Sequence, residues 1–175
     1  MCMDKVQALF SNDMVVAESS QVAQSLYDQS RFGELKEGKF QYSLVEALFL
    51  LEKDRMDIFD KKKKMTVDQF VKKASKKSPR FWTRYCVFRD MRSRGYVVKT
   101  ALKFGADFRV YDRGKKPGEV HAKWILYPVQ ESEGFSWYEF AAKNRVAHST
   151  KKRLLLGIVD DESDVTYYEC AWLRP

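Results

Sequence analysis

The stretch "GADFRVYDRGKKPGEVHAKWILYPV", residues 105–129, decides how this chain is read. Two runs rich in aromatic and β-branched residues, "FRVY" at 108–111 and Val120–Val129, flank a segment of Gly, Lys and Pro. Apolar runs punctuated in this way read as β-strands joined by a loop. Tyr111 closes the first run and His121, one of only two histidines, opens the second. Working outward, "YVVKT" (96–100), "RLLLGIVD" (153–160) and "VTYYECAWL" (165–173) read as further strands. "PRFWTRYCVFRDMRSRG" (79–95) predicts an amphipathic helix with Phe81, Tyr85, Phe88 and Met91 at helical spacing and Gly95 as its stop. Those aromatics read as core, with base-stacking as the other reading. "SWYEFAAKN" (136–144) predicts a second helix capped by Ser136, with Glu139 three residues on. The fold class is therefore α/β (α+β), with a mixed sheet flanked by helices over residues 80–175.

Upstream of Pro79 the chain changes character, and residues 1–79 read as a separate small α/β domain. "SLVEALFLLEKDR" (43–55) has a capping box, Ser43 and Glu46, and an apolar stripe of Leu44, Ala47, Leu48 and Leu51. "TVDQFVKKASKK" (66–77) repeats the pattern with Thr66 and Gln69. "SSQVAQSLYDQSRFG" (19–33) reads as a helix ended by Gly33, and "KFQYSLV" (39–45) as a strand behind a turn at Gly38. Lys61–Lys64, four lysines in a row, reads as a solvated loop between helices, or else as a phosphate contact.

Bulk properties narrow the class. No apolar run approaches the roughly 20 residues of a membrane span, and the N-terminus lacks the layout of a secretion signal. Cys2, Cys86 and Cys170 are odd in number and lack CxxC spacing, so neither a disulfide framework nor a zinc site is expected. A reduced, cytoplasmic protein without membrane association is expected. Of the net charge of +8, residues 80–175 carry +6, with 18 Lys+Arg against 12 Asp+Glu. A basic C-terminal half suggests a polyanion, nucleic acid above all.

Glycine-rich phosphate loops, HExxH and GxSxG are missing from the sequence. Asp107 and Glu119 lie near Lys123 in sequence, but "EVHAK" does not have the spacing of a two-metal nuclease. No cofactor and no metal are expected. Tyr111, His121 and Lys152 remain. If they converge, they suit cleavage of RNA by its own 2′-hydroxyl, which needs a base, an acid and a cation beside the phosphorane. Imidazole titrates near neutrality and serves as acid. A tyrosine base needs a depressed pKa, for which Lys152 and Arg113 are the expected neighbours. A pair of histidines, His121 with His148, is the competing arrangement.

"FRDMRSRGYVVKTALKFGADFRVYDRG", "EVHAKWILYPV" and "NRVAHSTKKRLLLGIVDDESDVTYYECAWLRP" together resemble the archaeal tRNA-splicing (tRNA-intron) endonuclease family, and "SRFGELKEGKFQYSLVEALFLLE" resembles its N-terminal domain. The likeness runs from about residue 20 onward. It implies that Tyr111 is general base, His121 general acid and Lys152 the stabiliser of the transition state. It also implies a substrate of precursor tRNA, or other RNA folded as a bulge–helix–bulge, leaving 2′,3′-cyclic phosphate and 5′-hydroxyl ends. Arg145 and Trp172 match positions that sandwich an unstacked bulge base, for which a guanidinium and an indole are both suited. A buried strand tryptophan is the other reading of Trp172. The acidic turn of Asp160, Asp161, Glu162 and Asp164 reads on its own as a solvated hairpin tip, and it resembles a loop that family members insert into a basic cleft of another subunit. A chain of this size resembles the homotetrameric class. A heterotetramer with a structural subunit, or a role as that RNA-binding structural subunit, is the alternative.

Overall fold

The computed structural model describes residues 4–101 and 105–173; Cys2 lies outside them. The chain forms two compact units, Met1–Trp82 and Thr83–Pro175.

In the first unit, β1 (Val6–Ser11) and β2 (Met14–Glu18) form a hairpin with Asn12 and Asp13 at its tip. Then come α1 (Gln21–Ser30), β3 (Glu34–Lys36), β4 (Lys39–Ser43), α2 (Leu44–Glu52), β5 (Met56–Asp60), β6 (Lys63–Lys64) and α3 (Val67–Lys77). The sheet order is β3-β4-β2-β1-β5-β6, and β1 with β5 is its parallel pair. α2 lies on β2, β4 and β5 and against α3. Both capping boxes form: Ser43 with Glu46, and Thr66 with Gln69.

Three local expectations are corrected here. α1 stops at Ser30, with Arg31 in the left-handed conformation, before Gly33 is reached. α2 is buried from Leu44 through Leu50, almost all round, because the sheet and α3 cover it from both sides. The lysine run is a hairpin rather than an interhelical loop: Lys61 and Lys62 make the turn at positive φ, and Lys63–Lys64 pair with β5.

The second unit begins with α4 (Phe81–Ser93), whose start overlaps the end of the first. It continues with β7 (Val97–Thr100), β8 (Phe108–Tyr111), β9 (Trp124–Gln130), α5 (Trp137–Ser149), β10 (Arg153–Val159) and β11 (Val165–Cys170). The sheet order is β11-β10-β9-β8-β7, antiparallel except for β9 with β10. One face holds Ile125, Tyr127 and Leu154, packed against Ala147 of α5. On the other face Phe108 meets Phe88 of α4 at 5.9 Å between ring centroids. Gly157 admits α4 to that face, since a Cβ there would lie 3.1 Å from both methyls of Val87. Phe81, Tyr85, Phe88 and Met91 are all core. None of the described helices is long and apolar enough to cross a membrane.

Candidate active site

β8, β9 and β10 lie side by side. Because β8 runs against β9 and β9 runs with β10, the end of β8 and the starts of β9 and β10 fall at one end of the sheet. Tyr111 is the last residue of β8. His121 precedes β9, so it sits in the loop rather than in the strand expected from Val120 onward. Lys152 immediately precedes β10. The Lys123 N–H donates to the Val110 carbonyl (2.9 Å) and the Arg153 N–H to the Lys123 carbonyl (3.0 Å), which ties the three ends together.

Tyr111, His121 and Lys152 line one cleft of about 350 Å³, together with Arg109, Gly118, Glu119, Val120 and Ala122. Tyr111 is buried in its wall, Lys152 is half-buried and His121 is exposed. The loop that presents His121 turns at Gly118, whose φ of 93° strains any other residue. Lys152 is placed by the end of α5. Lys151 takes a positive φ, the Lys152 N–H donates to the Ala147 carbonyl (2.8 Å), and its Nζ donates to the Thr150 carbonyl (2.8 Å). A helix C-terminus favours a cation, so the ammonium is held where it enters the cleft.

Burial pushes the Tyr111 phenol above the ordinary tyrosine range, and Arg109 pulls it back. That corrects the expectation of a phenol depressed by Lys152 and Arg113. The Arg113 guanidinium instead lies over the Tyr96 ring, 5.0 Å from its centroid. Asp107 is ion-paired with Arg84 (2.9 Å) and Asp112 with Lys123 (3.4 Å).

Arg145 and Trp172 line a second, largely apolar cleft of about 390 Å³ with Phe140, Ala141, Asn144 and Ala171. Trp172 lies beyond β11 and is 53 % exposed, which rules out the buried strand position. It also borders a smaller cleft with Lys152 and His148, and the His148 ring meets it edge-on at 4.1 Å. His148 thus lines a different cleft from the one that holds His121. The acidic turn joins β10 to β11. Asp160 Oδ1 accepts from the N–H groups of Glu162 (3.0 Å) and Asp164 (2.9 Å), while Asp161, Glu162 and Asp164 are exposed.

Residues 81–167 match the family model "tRNA intron endonuclease, catalytic C-terminal domain", and residues 6–71 match "tRNA intron endonuclease, N-terminal domain". The chain belongs to the tRNA intron endonuclease family. It is 47% identical over 138 residues to a tRNA-splicing endonuclease of Nanoarchaeum equitans, covering 75% of this chain and 88% of the relative. It is 33% identical over 171 residues to that of Methanothermobacter thermautotrophicus, covering 98% and 99%. It is 37% identical over 164 residues to that of Thermococcus gammatolerans, covering 94% and 96%. The catalytic-domain match of this tRNA intron endonuclease family member contains Tyr111, His121, Arg145 and Lys152, while Trp172 falls outside it.

Arg109 is the residue of this cleft that the sequence reading passed over. Its signal was available: in "FRVY" the two-residue repeat of a strand puts Arg109 and Tyr111 on one face.

Proposed function

We propose that this chain is the catalytic subunit that cuts introns out of precursor tRNA at bulge–helix–bulge motifs. The cut requires no metal at the chemical step and uses the 2′-hydroxyl of the RNA. Ionised Tyr111 takes the 2′ proton and the 2′ oxygen attacks phosphorus. The bond from phosphorus to the 5′ oxygen breaks, and protonated His121 supplies that oxygen with its proton. Lys152 balances the charge of the phosphorane. The ends are a 2′,3′-cyclic phosphate and a 5′-hydroxyl. Arg145 and Trp172 hold an unstacked bulge base between them. The chain works in the cytoplasm as a homotetramer, in which the acidic turn docks on another subunit.

The observation that carries this reading is that Tyr111, His121 and Lys152, far apart in sequence, line a single cleft. A structural, non-catalytic subunit has no need of such a convergence. The test is incubation with a bulge–helix–bulge RNA in EDTA, with end analysis. Wild type should cut and leave cyclic phosphate. Tyr111→Phe and His121→Ala should each lose at least about 100-fold, the span of general acid–base catalysis, while still binding RNA. Full activity in Tyr111→Phe would return the chain to another mechanism, and loss of activity in His148→Ala with Tyr111→Phe unaffected would favour the two-histidine pair. If a prefolded RNA is cut only with magnesium, the metal-free reading fails.

A further inference from the structure

Arg109 has no part in the chemistry above, yet it lines the same cleft from the middle of β8. Ladder pairing on both sides of β8, to Lys99 of β7 and Ile125 of β9, fixes its backbone. The two-residue repeat of the strand puts its side chain on the face of Tyr111. Its Nε is enclosed and has no hydrogen-bond partner among the described residues. Glu119 is the carboxylate lining the cleft, and it is exposed and makes no ion pair with Arg109 among the described residues. An enclosed guanidinium N–H without an acceptor lowers stability, and such groups in folded proteins call for a reason.

An anion generated beside it supplies that reason. The charged or titratable groups around Tyr111 are Arg109 on its own strand, Lys99 across β7, Glu119 and His121 from the following loop, and Lys152 from the turn after α5. Arg109 is the cation of this set that pulls the phenol down against burial.

We propose that Arg109 is the counter-ion of Tyr111, a positioning residue that stabilises the phenolate and so keeps a competent base in the buried wall of the cleft. The phenol loses its proton to solvent before RNA binds, and the phenolate facing Arg109 then takes the 2′ proton. That proton returns to solvent after the bond to the 5′ oxygen has broken. The proposal rests on reading Tyr111 as the base, but the coupling between the two side chains is measurable without RNA.

The experiment places 3,5-difluorotyrosine at position 111 of the full chain and follows its 19F resonance against pH. The fluorinated phenol is more acidic than tyrosine, so the titration ends before alkaline unfolding. Arg109→Met, which keeps the aliphatic stem, should raise the midpoint by about one pH unit, the lower end of what a nearby opposite charge contributes. Arg109→Lys, which keeps the charge, should stay much closer to wild type. In single-turnover cleavage near neutral pH, the Arg109→Met chain with natural Tyr111 should lose up to about tenfold in rate, with RNA affinity unchanged. An unmoved midpoint in Arg109→Met overturns the proposal. Weaker RNA binding with an unmoved midpoint also overturns it and makes Arg109 a phosphate contact. Should Arg109→Met fail to fold, Arg109→Gln takes its place. Full activity in Tyr111→Phe would remove the base reading while leaving the 19F result to stand or fall separately.

Discussion

Tyr167 shows how a phenol is used for structure in the same unit that uses Tyr111 for its cleft. Its O–H donates to Asp90 of α4 at 2.8 Å, pinning an edge strand to a helix. Burial, reinforced by Asp90, pushes the phenol far above the ordinary range. Tyr42 in the first unit is raised in the same direction by burial and by Glu46. A group whose proton is held more tightly in the folded state contributes stability that is complete below its unfolded pKa of about 10 and is lost as pH climbs beyond it. Denaturant unfolding should therefore show a steep fall in stability above about pH 10, near 1.4 kcal/mol per pH unit for each such tyrosine. Tyr167→Phe should flatten that slope while lowering stability at pH 7 by about 1 kcal/mol for the lost bond. An alkaline slope identical in Tyr167→Phe would remove Tyr167 from this account.

At the scale of elements, caps and short-range periodicity were legible and distant pairing was not. Ser43, Thr66 and Ser136 each start a helix where the sequence places them, because a cap is decided within four residues. β1 and β2 were missed although "VQALFSNDMVVAE" alternates and Asn12–Asp13 makes a two-residue turn. β5 carries its own charges, and its parallel partner β1 lies some fifty residues away, so no local signal announces it. The stripe assigned to α2 failed for the same reason, since what covers its far side is set by the sheet order. In the site, Tyr111, His121 and Lys152 were weak signals singly and gained their weight from the family likeness. Arg109 needed the strand register. One consequence is checkable at Ser43, whose Oγ accepts from the Glu46 N–H while Glu46 also accepts from the Gly33 N–H (3.2 Å). Ser43→Ala should cost about 1–2 kcal/mol, the upper range for a cap, in denaturant unfolding. Cleavage at a temperature where the chain stays folded should be unchanged. A loss below about 0.3 kcal/mol would mean that Glu46 and Gly33 hold this corner without the cap.

For the whole molecule, the distribution of charge bears on the proposed homotetramer. Residues 80–175 carry 18 basic and 12 acidic side chains, yet four of those acids fall within the five residues 160–164. In the proposed homotetramer, a small acidic projection on a basic unit would meet the basic side chains of another copy, and head-to-tail contacts of that kind close into rings. Asp160 is occupied in shaping the turn through its two backbone hydrogen bonds. Asp161 and Glu162 are exposed and their side chains make no hydrogen bond or ion pair among the described residues. Reversing those two charges, Asp161→Lys with Glu162→Lys, should therefore leave the fold intact and attack only the contact between copies. Native mass spectrometry of wild type should give four times the chain mass, and the double variant should fall to a smaller species. Cleavage of a two-bulge RNA should fall with it, because two cuts at a fixed separation need two catalytic units held in register. Raising salt should push wild type the same way, since exposed charges beyond about 10 Å are screened at 0.1 M. A double variant that keeps both its mass and its activity would show that the acidic turn is a solvated hairpin tip and that assembly, where it occurs, runs through another surface.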